Sequence, residues 1–307
     1  MKFLGRGIGN TKDSIGLDIG SVSIKAVKIK SSLGALELTD FAQEPSLPDP
    51  VASLKKIKEE KGLISVNISL SGPSTVLRYV VFPKMSREEL KQALKFEAQK
   101  HIPFAVNEAN LDGFILKNDL PDNKMLVLLA AAKKDFVNLR LKLLSDAGIK
   151  VDALDLDALA LFNCFNTAFS KEDLKNTKTF ALLNIGAVNS SLNIVDDGIL
   201  KLSRDIRFGS SNVIGKVEAV LGALANEIRV SFDFFESQNA STANKIFLCG
   251  GGSVVPGLKD ALAGLLGIEV ESWNVLKKIA VASAINTEKL KELSPGLAVA
   301  VGLALRE

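Results

Sequence analysis

A single histidine, His101, serves the whole chain of 307 residues. That excludes a metal site built from several imidazoles, and it excludes a Ser/His/Asp hydrolase resting on any other histidine. His101 precedes Ile102-Pro103-Phe104 at an expected helix end, where meeting terminal carbonyls is its plainest role. Cysteine is nearly as scarce. Cys164 falls in an apolar helical pattern and Cys249 ends an apolar strand pattern, so the two read as buried thiols rather than a disulfide or a metal pair. The longest apolar runs, MLVLLAAA and LAVAVGLAL, fall short of the ~20 residues that span a bilayer. No apolar run follows the basic start MKFLGRGIGNTK, so no signal peptide is expected; a weak touch of MKFLGR on a membrane surface is the most this end suggests. Charge of one sign is also lacking: the net charge is +3, with no basic cluster interleaved with aromatics, which argues against nucleic acid as a partner. The expected location is the cytoplasm.

What is present is the composition of a globular protein, 47% hydrophobic and 24% charged, at a length that suits two domains or one large two-lobed fold. A hairpin-like opening, IGLDIGSVSIKAVKI, is followed by the proline-broken loop QEPSLPDP. VASLKKIKEEKG reads as a short lysine-rich helix, and SVNISLSG as a half-buried alternating strand. STVLRYVVFP is a strand ended by Pro83. Ser86 and Glu89 form a capping-box signature for a helix over SREELKQALKFEAQKH. KMLVLLAAAKK reads as a buried strand, and DFVNLRLKLLSDAG as a helix from Asp135 to Gly148. VDALDLDALALFNCFNTAF passes from strand to helix; SLNIV-DDG-ILKLSRDI is a hairpin. In the long pattern after it, Val213, Val217, Val220, Leu224, Ile228 and Phe232 keep helical spacing, and Phe232, Phe234 and Phe235 read as packing. SPGLAVAVGLALRE reads as a final apolar helix.

Part of the opening returns later. Leu17-Asp18-Ile19-Gly20 aligns with Leu183-Asn184-Ile185-Gly186, which suggests a duplicated α/β domain with a cleft between the halves. A glycine directly after a strand lets backbone N–H groups approach an anion and form a concave nest for phosphate oxygens. Ser21 and Ser23 add hydroxyls, Lys25 a cation, and Asp18 a carboxylate suited to Mg2+ held through water. Other phosphate motifs fail: no G-x-x-x-x-G-K-[ST] occurs, and Gly5-Arg6-Gly7-Ile8-Gly9 precedes the first strand. KIFLCGGGSVVPGLKDALAGLLG is a third strand-glycine-helix unit, in which Gly250, Gly251 and Gly252 close a strand and the next helix presents its N-terminus.

These three segments resemble the phosphate 1, phosphate 2 and adenosine motifs of the actin and Hsp70 ATPase superfamily. Within it, RYVVFPKMSREELKQALKFEAQKHIPF resembles the signature of the PilM family of type IV pilus assembly, and SRDI, EIRVSFDFF and the terminal GLALR are similar as well. The resemblance spans nearly the whole chain. It implies an actin-like, ribonuclease H-like duplicated fold of two α/β lobes with an inserted subdomain like that of the cell-division protein FtsA. The expected division is lobe 1 over residues 1–73, the insert over 74–150, a connecting helix over 151–177, lobe 2 over 178–275, and a return to lobe 1 over 276–307.

By the same resemblance Gly20, Ser21, Ser23 and Lys25 would meet the phosphates of ATP, Asp18 the magnesium, Gly186 the second loop, Glu227 the ribose or base, and Gly250, Gly251 and Gly252 the adenosine. Asn184 departs from the aspartate usual there, and an amide cannot accept a proton as a carboxylate does. The implied function is an ATP-binding scaffold, at most a slow ATPase, that takes the N-terminal cytoplasmic tail of a PilN-like inner-membrane protein in a groove beside the insert. Contact with other pilus platform or motor proteins, indirect membrane association and self-association are compatible with it. The chain ends at LALRE without the amphipathic membrane helix of FtsA, so membrane contact would run through partners. Phe82, Met85, Phe96 and Phe104 either border the groove or form the core of the insert, with core the plainer expectation. The alternatives are an active ATPase or small-molecule kinase, with Asp152, Asp155 and Asp157 as candidate bases, and the cytoplasmic domain of a type II secretion protein.

Overall fold

The computed structural model describes residues 12–212 and 217–306. The Gly5–Gly9 stretch, Val213, and the side chains of Val217 and Val220, all singled out above, lie outside the described residues. The described residues begin with three antiparallel strands, β1 (Lys12–Ile19), β2 (Ser23–Ser32) and β3 (Ala35–Pro45). Helix α1 (Pro50–Lys61) follows, and its limits are written in the sequence. Asp49 accepts the Val51 and Ala52 N–H groups, Pro50 occupies the first turn, and Gly62 closes the helix in the left-handed region at φ 62°. The prolines of QEPSLPDP therefore punctuate regular structure: Pro45 ends β3 and Pro50 opens α1.

β4 (Ser65–Leu70) pairs in parallel with β1. Its burial differs from the half-buried alternation expected of SVNISL, because Val66 through Leu70 are all buried. The reason is position: β4 is an inner strand, between β1 and β8, and the sheet is covered on both faces there, so both alternating sets of side chains are buried.

Residues Leu70–Leu143 form one compact unit. It contains β5 (Thr75–Pro83), α2 (Arg87–Glu97), β6 (Ala109–Leu120), β7 (Lys124–Lys133) and most of α3 (Lys134–Asp146). The strands make a sheet of order β5-β7-β6. Ser86 caps α2 by accepting the Glu89 N–H while the Glu89 carboxylate accepts the Ser86 N–H, the reciprocal box that the sequence announced. Leu90 and Leu94 of α2 pack with Val76, Val80, Met125 and Val127 of the sheet. Phe82 and Phe104 belong to this core and Met85 packs against it, but Phe96 is 77% exposed, which corrects the core expectation for that residue.

The remaining chain forms the second compact unit. It adds β8 (Lys150–Leu156), α4 (Asp157–Ala168), β9 (Thr179–Ile185), β10 (Ser190–Asp196), β11 (Ile199–Ile206), α5 (Val217–Gln238), β12 (Lys245–Cys249), α6 (Leu258–Leu266), β13 (Glu269–Ser272), β14 (Ala280–Val281), α7 (Thr287–Leu293) and α8 (Ala298–Ala304). Among the described residues two sheets result, β14-β3-β2-β1-β4-β8 and β11-β10-β9-β12-β13. Leaving aside β14, the second order repeats the first strand for strand, with the same antiparallel triplet and the same parallel fourth strand. Asp197 and Gly198, at φ 51° and 72°, make the expected tight turn between β10 and β11. On α5, Leu224, Ile228, Phe232 and Phe235 are buried, whereas Phe234 is half exposed and does not share their packing.

The C-terminal segment is a short 3-10 turn, Ser294–Leu297, leading into α8. Every residue of α8 is buried, and the helix packs on β1 and α4. Two glycines make that possible. A Cβ on Gly16 would overlap the Ala300 carbonyl oxygen, and one on Gly302 would overlap the Ala160 carbonyl oxygen.

Candidate functional site

The two related turns share their backbone. Gly20 N–H donates to the Ser23 carbonyl at 3.1 Å, and Gly186 N–H donates to the Asn189 carbonyl at 3.0 Å. Each turn joins a strand to its antiparallel partner, β1 to β2 and β9 to β10. Each tip carries an exposed valine at the same place, Val22 (53%) and Val188 (46%). Each turn is tied down by serines from the next strand or loop: Ser46 Oγ donates to the Gly20 carbonyl, and Ser211 Oγ to the Ala187 carbonyl. The duplication read from Leu17–Gly20 and Leu183–Gly186 is thus a duplication of geometry.

The side chains differ. Strand register places Asp18 opposite Lys25, and Lys25 Nζ lies 2.9 Å from Asp18 Oδ2. In the second copy the same register places Asn184 opposite Ser191, so the ion pair has given way to two neutral groups. A lysine so held keeps its cation beside the turn, where backbone N–H groups and a positive charge together suit an anion. Ser21 is exposed on that turn, and Ser23 is half-buried behind it.

The third glycine segment packs against the second. Gly250 adopts φ 95°, and a Cβ there would strike the Ile185 backbone and the Asn184 side chain. A Cβ on Gly252 would meet Ile185 and Ser210. Gly251 alone faces open space. The next helix stands a few residues beyond these glycines: Gly251–Val254 form a 3-10 turn, and α6 starts at Leu258, after the left-handed Gly257.

One contributor was missed by sequence reasoning. The Gly250 N–H donates to the Pro295 carbonyl at 2.7 Å. A Cβ on Gly296 would lie 3.5 Å from the Gly251 backbone and 3.7 Å from Lys25 Cε. The Pro295-Gly296 turn therefore sits between the Lys25 side of the first repeat and the glycine turn of the second. The tripeptide SPG is visible in the sequence, but a contact so distant along the chain leaves no periodic trace.

Glu227 stands apart from these turns. Its carboxylate is about half exposed and accepts from Arg204 Nη2 at 2.8 Å, while Arg204 Nη1 donates to the buried Ser231. Of the three candidate aspartates, Asp155 is committed to structure: it is 5% exposed, accepts from the Leu156 N–H, and pairs with Arg306 Nε at 2.8 Å. Asp152 is exposed and Asp157 opens α4. Both thiols are buried and free, and burial pushes Cys249 up to about 12 and Cys164 well above the ordinary range. Among the described residues no group of three or more His, Cys, Asp or Glu side chains is placed to hold a metal. A magnesium ion here would have the Asp18 carboxylate and would depend on phosphate oxygens and water, a donor set this ion accepts.

Two α/β repeats of one strand order, each ending its first strand in a glycine turn, define an actin-like fold. A family model described as type IV pilus assembly protein PilM matches residues 16–222 and 217–307. The chain belongs to the PilM family of type IV pilus assembly proteins. Among solved structures it is similar to a PilM-PilN type IV pilus biogenesis complex, at 27% identity over 95% of this chain and 98% of that chain, with a TM-score of 0.81. Looser likenesses are to the ethanolamine utilization protein EutJ from Carboxydothermus hydrogenoformans, with 11% identity, 97% and 91% coverage and a TM-score of 0.48. The cytoplasmic domain of EpsL, an inner membrane component of the type II secretion system of Vibrio cholerae, matches with 11% identity, 89% and 87% coverage and a TM-score of 0.49.

Proposed function

We propose that this chain is a nucleotide-binding scaffold of the type IV pilus assembly platform, which binds Mg-ATP between its two repeats and cleaves it slowly or not at all. The observation that carries the reading is the contrast between the repeats, Asp18 with Lys25 in one and Asn184 with Ser191 in the other. In this reading the Gly20 turn, Ser21, Ser23 and Lys25 take the phosphates, and Asp18 orients the metal through water. Gly186 lines the second loop. Gly251 offers the open surface to the adenosine, while Gly250 and Gly252 give the loop its shape. Glu227 reaches the ribose or base together with Arg204, to which it is bonded. A lost general base commonly lowers a rate by about 10²- to 10⁴-fold, and Asn184 supplies none.

The partner in this reading is the N-terminal cytoplasmic tail of a PilN-like inner-membrane protein, supported by family membership and by the likeness to a PilM-PilN complex. The unit of residues 70–143 serves as the FtsA-type subdomain beside which the tail docks. Among the described residues no helix is long and apolar enough to cross a membrane. The chain then works in the cytoplasm, peripheral to the inner membrane, and meets other platform or motor proteins through the same assembly. ATP titration into the purified chain and capture of the protein on an immobilised tail peptide test the two parts separately. Absence of nucleotide affinity with tail capture intact removes the ATP part; absence of tail capture removes the partner.

A further inference from the structure

A groove of about 750 Å3 lies within the unit of residues 70–143, between α2 and β6. One wall is a helical stripe. Lys91, Lys95 and Gln99 follow one another at intervals of four residues and line it together. The other wall is Ala109–Asp112 of β6. Four consecutive strand residues point alternately to opposite faces of a sheet, so a groove touching all four runs along the strand's edge and not over one face. That edge is the last of the sheet, because among the described residues β6 is hydrogen-bonded to β7 alone. The helix approaches closely here, since a Cβ on Gly113 would lie 2.6 Å from Leu94 Cδ1.

The charge of the groove is one-sided. Lys91, Lys95 and Lys134 line it against a single acid, Asp112. Among the described residues none of the three lysines pairs with a carboxylate: Lys95 Nζ donates to the Gln92 amide and Lys134 Nζ to the Asn107 carbonyl. Leu94 and Leu111 form an apolar floor. Residues four apart on a helix stand about 6 Å from each other. Alternate residues of an extended strand stand about 6.6 Å apart, which is nearly the same spacing.

We propose that this groove takes an extended acidic segment of another protein, laid along the free edge of β6, with carboxylates at alternate positions on Lys91 and Lys95. Edge pairing supplies main-chain hydrogen bonds and the lysine ladder supplies selection for charge. The site uses none of the residues assigned to nucleotide.

Fluorescence anisotropy with the full chain tests this. The probes are fluorescein-labelled ten-residue peptides, one alternating Glu and Val, the other alternating Lys and Val. The acidic probe is expected to bind and the basic one not, with affinity falling as salt is raised. Lys91→Gln with Lys95→Gln, at exposed positions of α2, should weaken the acidic probe by at least about tenfold, and Lys91→Glu with Lys95→Glu should abolish it. Equal binding of the two probes, or undiminished binding to the double variants, overturns the proposal.

Discussion

Lys25 Nζ and Asp18 Oδ2 lie 2.9 Å apart across β1 and β2, at the register position that Ser191 and Asn184 hold in the second repeat. One repeat thus keeps a charged pair beside its glycine turn and the other keeps a neutral one. If the neutral pair is what silences hydrolysis, Asn184→Asp should raise ATP-dependent phosphate release above the wild type by about tenfold or more, part of what a general base contributes. A colorimetric phosphate assay reads this directly. A wild type that already turns over as fast as the variant contradicts the role given to Asn184.

Gly302→Ala should be among the most damaging small substitutions in the chain, because its Cβ would overlap the Ala160 carbonyl where α8 meets α4. Overpacking of this kind costs about 1–3 kcal/mol, with backbone contact at the upper end. Gly264→Ala, in α6 with nothing within 4 Å of the new Cβ, should be neutral or stabilise by up to about 1 kcal/mol. Paired thermal melts separate the two outcomes.

Asp155→Asn should destabilise the chain by about 3 kcal/mol or more, since it leaves Arg306 facing a largely buried amide. Urea unfolding measures the loss. Asp155→Asn that lowered phosphate release with stability unchanged would instead assign this aspartate to chemistry.

The buried thiols set a pH dependence. Burial holds Cys249 at about 12 and Cys164 well above its ordinary value in the folded chain. A group raised on folding adds stability that is complete below its unfolded pKa and is lost as pH climbs toward the folded one. The urea midpoint should therefore hold near neutral pH and fall from about pH 9 upward. In Cys249→Ala that alkaline fall should be shallower. Iodoacetamide at pH 8 should leave both thiols unmodified until the protein is unfolded.

Much of the candidate site was legible because its elements are local. Gly20 and Gly186 sit in repeated tetrapeptides, and the capping box of Ser86 and Glu89 lies within one turn of helix. What escaped was non-local or masked by polarity. β6, NLDGFILKNDL and its preceding alanine, carries no clear strand signal, because an exposed edge strand mixes Asp112, Lys117 and Asp119 among its apolar residues. β3, between the opening hairpin and the prolines, mixes Glu37, Asp40 and Glu44 in the same way. The full burial of β4 depends on cover over both faces of its sheet, which no alternation within SVNISL encodes. Phe96 shows the converse: its aromatic type favours core over groove edge, yet the side chain stands in solvent. The Pro295-Gly296 turn reaches Gly250 and Lys25 only through the fold.

The central claim is that the paired turns bind nucleotide through Lys25, and calorimetric titration of ATP with and without magnesium into the wild type and Lys25→Ala tests it most directly. The account predicts saturable binding to the wild type, strengthened by magnesium, and a loss of at least about tenfold in the variant. No measurable heat with the folded wild type, or equal affinity in the two proteins, contradicts it.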